Sequence, residues 1–335
     1  MKKRENNILD ILKFVAAILI LGAHVSPIIN SKSFDLFYGE YLFRFCVPLF
    51  IISSGFFFES IDKSKKKKYI KRILYLYIFS TLLYLPMFYN QGIKSIIINI
   101  LTGYWHLWYL VALLIALCIV YIFDEKFKNT SNKSYIIVIS LLILCGAFFD
   151  EYHKIINVPY LDVILKTADI MIGEWRAIFF SLPMLLIGKL IKKNWNYISS
   201  KTWKTYVLLL IISAVAAFLE FILLCNSIGT RTSNDITLFN WIPAVALFIL
   251  SFYINERVKK LETRKIRKMA DVIYIIHLWV IVLFKVIFSL RYLSLFIACS
   301  ITSVIISYIT ISIISIIKSR KTKIYCLDSG PKQLN

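Results

Sequence analysis

Apolar residues along this chain neither alternate with a period of two nor form the narrow stripe of a surface helix. They run in long blocks, at approximately 8–29, 41–59, 69–89, 106–123, 134–149, 175–191, 204–225, 238–254, 271–290 and 292–317. A helix of about 20 apolar residues covers the roughly 30 Å hydrocarbon layer of a bilayer. A membrane β-barrel would need segments of about ten alternating residues, and this pattern lacks them. The blocks predict an all-α fold, a polytopic membrane helix bundle of about ten transmembrane helices. The segment 92–103 departs from the pattern. Ile93, Ile96, Ile97, Ile100 and Leu101 share one helical face, with Lys94, Ser95 and Asn99 off it, which predicts a short helix lying on the outer interface. The acidic stretch from Asp150 to Glu174, containing Pro159, predicts a partly ordered cap over an outward cavity. No repeat of fixed period is visible.

Composition agrees with the blocks. The 335 residues are 59% hydrophobic and only 18% charged, too few charges to cover two soluble domains. Ten spans leave no room for a separate soluble catalytic domain, so any chemistry belongs inside the bundle or at its faces. The formal net charge of +21 reads first as a topology signal. With the N-terminus inside, basic clusters at 2–4, 63–72, 126–133, 192–204, 257–268 and 318–332 fall on the cytoplasmic side. The outer side keeps only Lys32, Lys94, Lys154, Lys166, Arg231 and Arg291. Cations near spans are retained in the cytoplasm, so both termini are expected there, in a multi-pass protein of the cytoplasmic membrane. Nucleic-acid binding, the other reading of a high pI, is disfavoured because the charge is dispersed among loops. The first block follows Lys2, Lys3 and Arg4 as a signal peptide would, but Asp10 and Lys13 interrupt it and no small-residue cleavage site closes it, so it is read as a span. The six cysteines show no CxxC spacing and read as inert packing groups.

Ionisable residues within spans carry the functional signal, because burying each costs about 2.5 kcal/mol or more unless a partner or a wet cavity receives it. They are Asp10, Lys13, His24, Arg44, His106, Arg176, Glu220, Asp271, His277 and Lys285. Lys13 and His24 are eleven helical steps apart, about 20° past three full turns and roughly 16 Å along the axis. Asp10 lies within about 40° of the same face. Two readings of this polar stripe stand at even weight: an Asp10–Lys13 ion pair with a hydrogen-bonded His24, or a functional channel. The motif FRFCVPLFIISSGFFF brings Arg44 to a second span whose Ser53, Ser54 and Gly55 permit close helix approach. Trp105, His106, Trp108 and Tyr109 form an outer aromatic cluster, ordinarily an interfacial belt. His277 is expected to make an interhelical hydrogen bond, and His153, in a polar loop, has no assigned role. GxSxG, GxxxxGK and HExxH are all absent.

The segment LDILKFVAAILILGAHVSP resembles the opening motif of the acyltransferase-3 family, an arginine followed by ten residues and then a histidine, with Lys13 in the arginine's place. FRFCVPLFIISSGFFF, WHLWYL at 105–110 and YIIHLW at 274–279 are similar to later family signatures, in order. IFFSLPMLLIGKLI and FNWIPAVALFIL look most like the membrane half of vancomycin-resistance membrane-bound serine racemases. The resemblance runs from about residue 5 to 317, and the racemase half is expected to be absent, the remainder to 335 being a basic, polar cytoplasmic tail.

The resemblance implies a membrane O-acyltransferase. An acyl group, commonly acetyl, would pass from cytoplasmic acyl-CoA to a hydroxyl of an envelope glycan or other extracytoplasmic acceptor, with His24 as catalytic general base. By position Lys13 takes the family arginine's role, holding donor charge as a point cation rather than a bidentate fork. Lys71 and Arg72 are the nearest match to a pair of donor-binding arginines, although positive-inside retention explains the same cluster equally well. Arg44, His106, Trp108 and Arg176 complete the expected substrate-binding set. No metal and no tightly bound cofactor is expected, and acyl-CoA is a co-substrate. Lipids and the acceptor are the expected partners, with a homo-oligomer possible and nucleic acid not expected. The competing reading is a transporter for a small polar substrate such as serine, with Lys13 and His24 lining a path.

Overall fold

The computed structural model describes residues 6–156, 160, 176–228, 236–258 and 263–328. The described residues contain helices and no strands. In chain order the α-helices are α1 Asn7–Val25, α2 Lys32–Phe37, α3 Cys46–Glu59, α4 Lys63–Phe88, α5 Ile93–Thr102, α6 Trp108–Ile122, α7 Asp124–Asn129 and α8 Asn132–Ala147. They continue as α9 His153–Ile156, α10 Leu182–Lys193, α11 Trp195–Ser200, α12 Trp203–Ile228, α13 Ile242–Arg257, α14 Arg264–Phe288 and α15 Tyr292–Asp328. Most of the expected cap, including Pro159, and the cations Lys166 and Arg231 lie outside the described residues.

Among the described residues, seven helical stretches are long and apolar enough to cross a membrane: Asn7–Val25, Lys63–Gln91, Trp105–Ile122, Asn132–Ile155, Trp203–Ser227, Arg264–Phe288 and Tyr292–Ile317. The other three expected spans are shorter as α-helix, with 14 residues in α3, 12 in α10 and 16 in α13. Each carries a proline in its first turn, Pro48, Pro183 and Pro243. Proline donates no backbone hydrogen bond, so it fits in a first turn, and upstream of Pro183 the backbone continues helical as a π-turn over Ala177–Ser181. Helices α3 and α10 are also largely buried. Irregular backbone at membrane depth is tolerated where protein surrounds it.

The chain forms two compact units, one of residues 1–35 and 254–335 and the other of residues 36–253. In the first unit α1 packs on α14, and α14 turns through Ser289, in left-handed backbone with φ 50°, into α15. Helix α15 continues past 317 to Asp328, so the expected tail begins as helix. Asp10 meets Thr263, Ala17 packs with Ala270, and His24 meets His277. All three pairs are 253 residues apart, so α1 and α14 run parallel in one fixed register.

The second unit is centred on α3 and α10. A Cβ on Gly55 would lie 2.1 Å from the Leu185 carbonyl oxygen, and one on Gly188 would lie 2.1 Å from that of Ile52. The expected close approach at Gly55 is therefore backbone against backbone, with Gly188 as its counterpart. Beyond this crossing lies a buried ion network. Lys66 and Asp124 are each 1% exposed and 2.8 Å apart, Lys189 reaches Asp124 at 3.3 Å, and Glu59 contacts both lysines. At another place Glu220 accepts from the Tyr152 hydroxyl at 2.7 Å and from the Leu238 and Phe239 amides at 2.6 and 2.9 Å. That span carboxylate is thus a local scaffold for residues 238–239. Helix α5 forms where the apolar face predicts it, with Ile93 and Leu101 exposed and no residue buried.

Candidate functional site

Helix α1 starts at Asn6, whose side chain accepts from the Leu9 amide at 3.0 Å. Its polar residues fall on the face turned to α14. On α14 and its approach Thr263, Arg267, Asp271, Tyr274 and His277 follow at spacings of four, four, three and three. That series keeps to a stripe about 120° wide. Two polar stripes therefore face each other along parallel helices, an arrangement that gives each ionisable group a partner within the fold.

Where these helices begin, the stripe is ionic. Asp10 is buried and accepts from Thr263 Oγ1 at 2.9 Å, while the Asn7 side-chain oxygen lies 3.0 Å from the same hydroxyl. One hydroxyl proton thus stands between two acceptors. Arg267 reaches Asp10 at 3.8 Å. The Lys13 ammonium is half-buried and lies in the fields of Asp271 and Asp10, opposed by Arg267. Asp10 is thus met from the other helix by Thr263 and Arg267, and Asp271 joins Asp10 around Lys13.

Further along, Ala17, Ala270 and Ile273 form a buried apolar layer with Phe14, Ile18 and Val304 packed on it. Past that layer the imidazoles of His24 and His277 meet, with ring centroids 5.1 Å apart and planes tilted by 38°. His24 is half-buried and His277 only 1% exposed. Nδ1 of His277 lies 3.1 Å from the Ile273 carbonyl oxygen and 2.8 Å from that of Tyr274. The expectation of an interhelical hydrogen bond here is corrected. Those contacts run to the residue's own helix, whose carbonyls three and four positions back are within reach, and the neighbour across the interface is the His24 ring.

The other expected site residues belong to the second unit. Arg176 lies over the Trp108 ring at 5.2 Å, so these two are brought together. His106 is buried with its ring 5.0 Å from Tyr84, edge to face, whereas Trp105 is 58% exposed and stacks on Tyr104. The aromatic cluster is therefore split between an inward imidazole and an outward indole. Arg44 is half-buried with its guanidinium 5.2 Å from the Phe43 ring centre. Lys71 and Arg72 are exposed on α4. Lys66, from the same basic run, is instead the buried partner of Asp124, so that run contains one structural cation among surface ones. His153 is buried in α9 rather than in a polar loop, with Nδ1 3.1 Å from the Phe148 carbonyl oxygen. Among the described residues no group of three or more His, Cys, Asp or Glu side chains is arranged to hold a metal ion.

His277 as the neighbour of His24 and the four-residue ion network were not foreseen from sequence. The histidine pair had a signal, since Asp10–His24 and Thr263–His277 share one spacing. The ion network had none, because Lys66 stands in a run of similar lysines.

The chain is 25% identical over 307 residues to an amino-acid racemase of Enterococcus faecalis, covering 84% of this chain and 42% of that protein. A second amino-acid racemase of Enterococcus faecalis is 29% identical over 210 residues, 58% of this chain and 29% of that protein. A serine/alanine racemase of Enterococcus gallinarum is 23% identical over 270 residues, 73% and 36% of the two chains. The chain thus spans less than half the length of each of these relatives. No solved structure matches it. The acyltransferase domain family matches residues 6–312. With several helices of membrane-crossing length and that match over nearly its whole length, the chain is a multi-pass membrane protein belonging to the acyltransferase-3 domain family.

Proposed function

We propose that this protein is a membrane O-acyltransferase of the cytoplasmic membrane, passing an acyl group, acetyl in the simplest case, from cytoplasmic acyl-CoA to a hydroxyl of an envelope glycan or other extracytoplasmic acceptor. Residues 1–317 are the transmembrane acyltransferase domain and 318–335 its cytoplasmic tail. The three short proline-started helices complete ten crossings, with both termini cytoplasmic. The observation that carries the reading is the His24 ring, half-buried beside a second imidazole and on the same helix face as Lys13. Imidazole titrates near neutral pH and suits proton exchange with a hydroxyl. His24 takes the acceptor's hydroxyl proton as that oxygen bonds to the thioester carbonyl carbon. The carbon–sulfur bond then breaks, and the leaving thiolate takes the proton from His24, giving an ester and the CoA thiol. Lys13, with Lys71 and Arg72, answers the donor's negative charge. Arg44, His106, Trp108 and Arg176 contact the acceptor or the acyl group, the Trp108 ring offering a face for a sugar.

The test is transfer of radiolabelled acetyl from acetyl-CoA by purified protein in lipid nanodiscs. His24→Gln should lower transfer by roughly a hundredfold or more while leaving folding and acetyl-CoA binding near those of the parent. Near-normal transfer by this variant would remove the assignment. The names of the relatives favour one second reading, an uptake module for a small amino acid such as serine. Serine uptake into proteoliposomes without thioester consumption would establish that reading instead.

A further inference from the structure

We propose that the second unit holds a membrane lipid in a pocket between α12, α13 and the turn before α3, with an acyl chain in the pocket and that chain's ester carbonyl on the Asn240 carboxamide. The cavity measures about 130 Å³. Leu210, Ala214 and Ala217 line it from α12, at spacings of four and three that place them on one helix face. Tyr41, from the π-turn Tyr38–Leu42, and Leu247 of α13 also line it. The Tyr41 hydroxyl donates to the Ala214 carbonyl at 3.0 Å, so the one hydroxyl of the lining is committed to the protein. Asn240, which lines the same pocket, is only 8% exposed, and among the described residues nothing hydrogen-bonds its carboxamide. A buried amide left unpaired carries the full cost of its desolvation, so this group calls for a ligand that can bond to it.

Depth, surroundings and size select a lipid chain as that ligand. Residues 210–217 lie near the middle of the membrane-crossing stretch Trp203–Ser227, so the pocket is at hydrocarbon depth. On the other faces of α12, Leu208, Ile211, Ile212, Val215 and Leu219 are each more than half exposed, so the phase that bathes this helix is lipid. Tyr41, Leu210, Ala214 and Leu247 are half-buried, which brings the lining to that phase. Water would need two to four polar partners, and the lining offers one unpaired side chain. A cavity of about 150 Å³ with aliphatic and aromatic walls holds a benzene ring, so this one takes a section of chain about six carbons long. Asn240 stands two residues before α13, a 16-residue helix roughly 24 Å long. With α13 as a crossing, as proposed above, its start falls near the edge of the roughly 30 Å hydrocarbon layer, where the esters of a lipid begin. The carboxamide N–H donates to such an ester carbonyl, and the chain runs on toward Leu247.

Photolabelling tests the site without recourse to acyl transfer. The full chain is placed in phosphatidylglycerol nanodiscs containing a small fraction of the same lipid with a diazirine on one acyl chain, and labelled residues are located by mass spectrometry after irradiation. Leu210, Ala214 and Leu247 should be labelled at least as strongly as the more exposed Ile211 and Ile212. Replacing the bulk lipid by its ether-linked form keeps the chains and removes the ester carbonyls. Labelling of the pocket by the ester probe should then rise about fivefold relative to Ile211 and Ile212, the worth of one hydrogen bond. Asn240→Leu keeps the side chain's size and should abolish that rise. Ala214→Phe fills the pocket and should remove its label, whereas Val215→Phe, on the lipid face, should not. Label that merely follows exposure, or no rise in ether lipid, would overturn the proposal, and both are read on the parent even where a variant fails to fold. A rise that persists in Asn240→Leu would overturn the role of the carboxamide. Loss of the pocket label on adding a long-chain acyl-CoA at concentrations far below the bulk lipid would assign the pocket to a CoA-borne chain and overturn the lipid.

Discussion

Neutralising Asp124 should destabilise the second unit more than deleting the lysine closest to it. Asp124 Oδ1 lies 2.8 Å from Lys66 Nζ and 3.3 Å from Lys189 Nζ, and Oδ2 lies 3.2 Å from the half-exposed Lys128. Lys66 and Lys189 are 1% and 3% exposed, and Glu59 is the other carboxylate in contact with both. Asp124→Asn leaves two buried ammonium groups to share Glu59, and an uncompensated buried charge costs about 3–5 kcal/mol. Lys66→Met fills nearly the same volume and leaves Asp124 with Lys189 and Lys128, so its cost is that of one charged hydrogen bond, about 1.5–3 kcal/mol. Tryptophan-fluorescence melts in nanodiscs at neutral pH measure the order. Lys66→Met as destabilising as Asp124→Asn, or parental midpoints for both, would refute the reasoning. The network also fixes an acid response. Burial pushes the Asp124 carboxyl up, but the Lys66 hydrogen bond, the Lys189 charge and the Lys128 hydrogen bond outweigh it and hold the pKa at about 2. A depressed pKa contributes stability that is complete above the unfolded value of about 4 and is lost as pH falls through about 2. The gap between parent and Asp124→Asn should therefore be constant from pH 7 to 5 and close only below about pH 4.

At the helix crossing, Gly55→Ala and Gly188→Ala should each cost about 3 kcal/mol or more and lower folded yield, because the new methyl meets a backbone carbonyl that cannot swing aside; parental melting midpoints would contradict the observed packing. Replacing exposed Lys71 and Arg72 with Gln should weaken acetyl-CoA binding in equilibrium titration, whereas the same change at exposed Lys67 and Lys126 should not. Equal losses at the two pairs would assign the cluster to non-specific membrane electrostatics.

What the sequence revealed of the fold was its solvent. Blocks of apolar residues report the depth of hydrocarbon a helix must cross, and they located most helices here to within a few residues. They did not distinguish a helix that faces lipid along its length from one enclosed by protein, because both are apolar. Pro48 and Pro243 sit in the first turns of their helices, whereas Pro183 stands where a π-turn passes into α-helix and Pro86 lies within α4. Gly55 was legible as a close-approach residue, but its partner Gly188 was not, since nothing local in LIGKL identifies which helix it meets.

The site divides along the same line, between what one helix determines and what two determine together. That Lys13 and His24 share a face follows from rise and twist alone. What each faces depends on register, and register is a property of the pair. Asp10–Thr263, Ala17–Ala270 and His24–His277 repeat every seven residues on both helices, and seven residues are nearly two helical turns, so a neighbour at one level brings neighbours at the next. A change at one level should therefore propagate. Ala270→Leu would wedge α1 from α14 between the ionic end and the imidazoles, and it touches neither. If the two ends act through a common register, that variant should impair transfer as His24→Gln does, even with every polar residue in place. Parental rates in Ala270→Leu would show instead that each level is held by its own contacts.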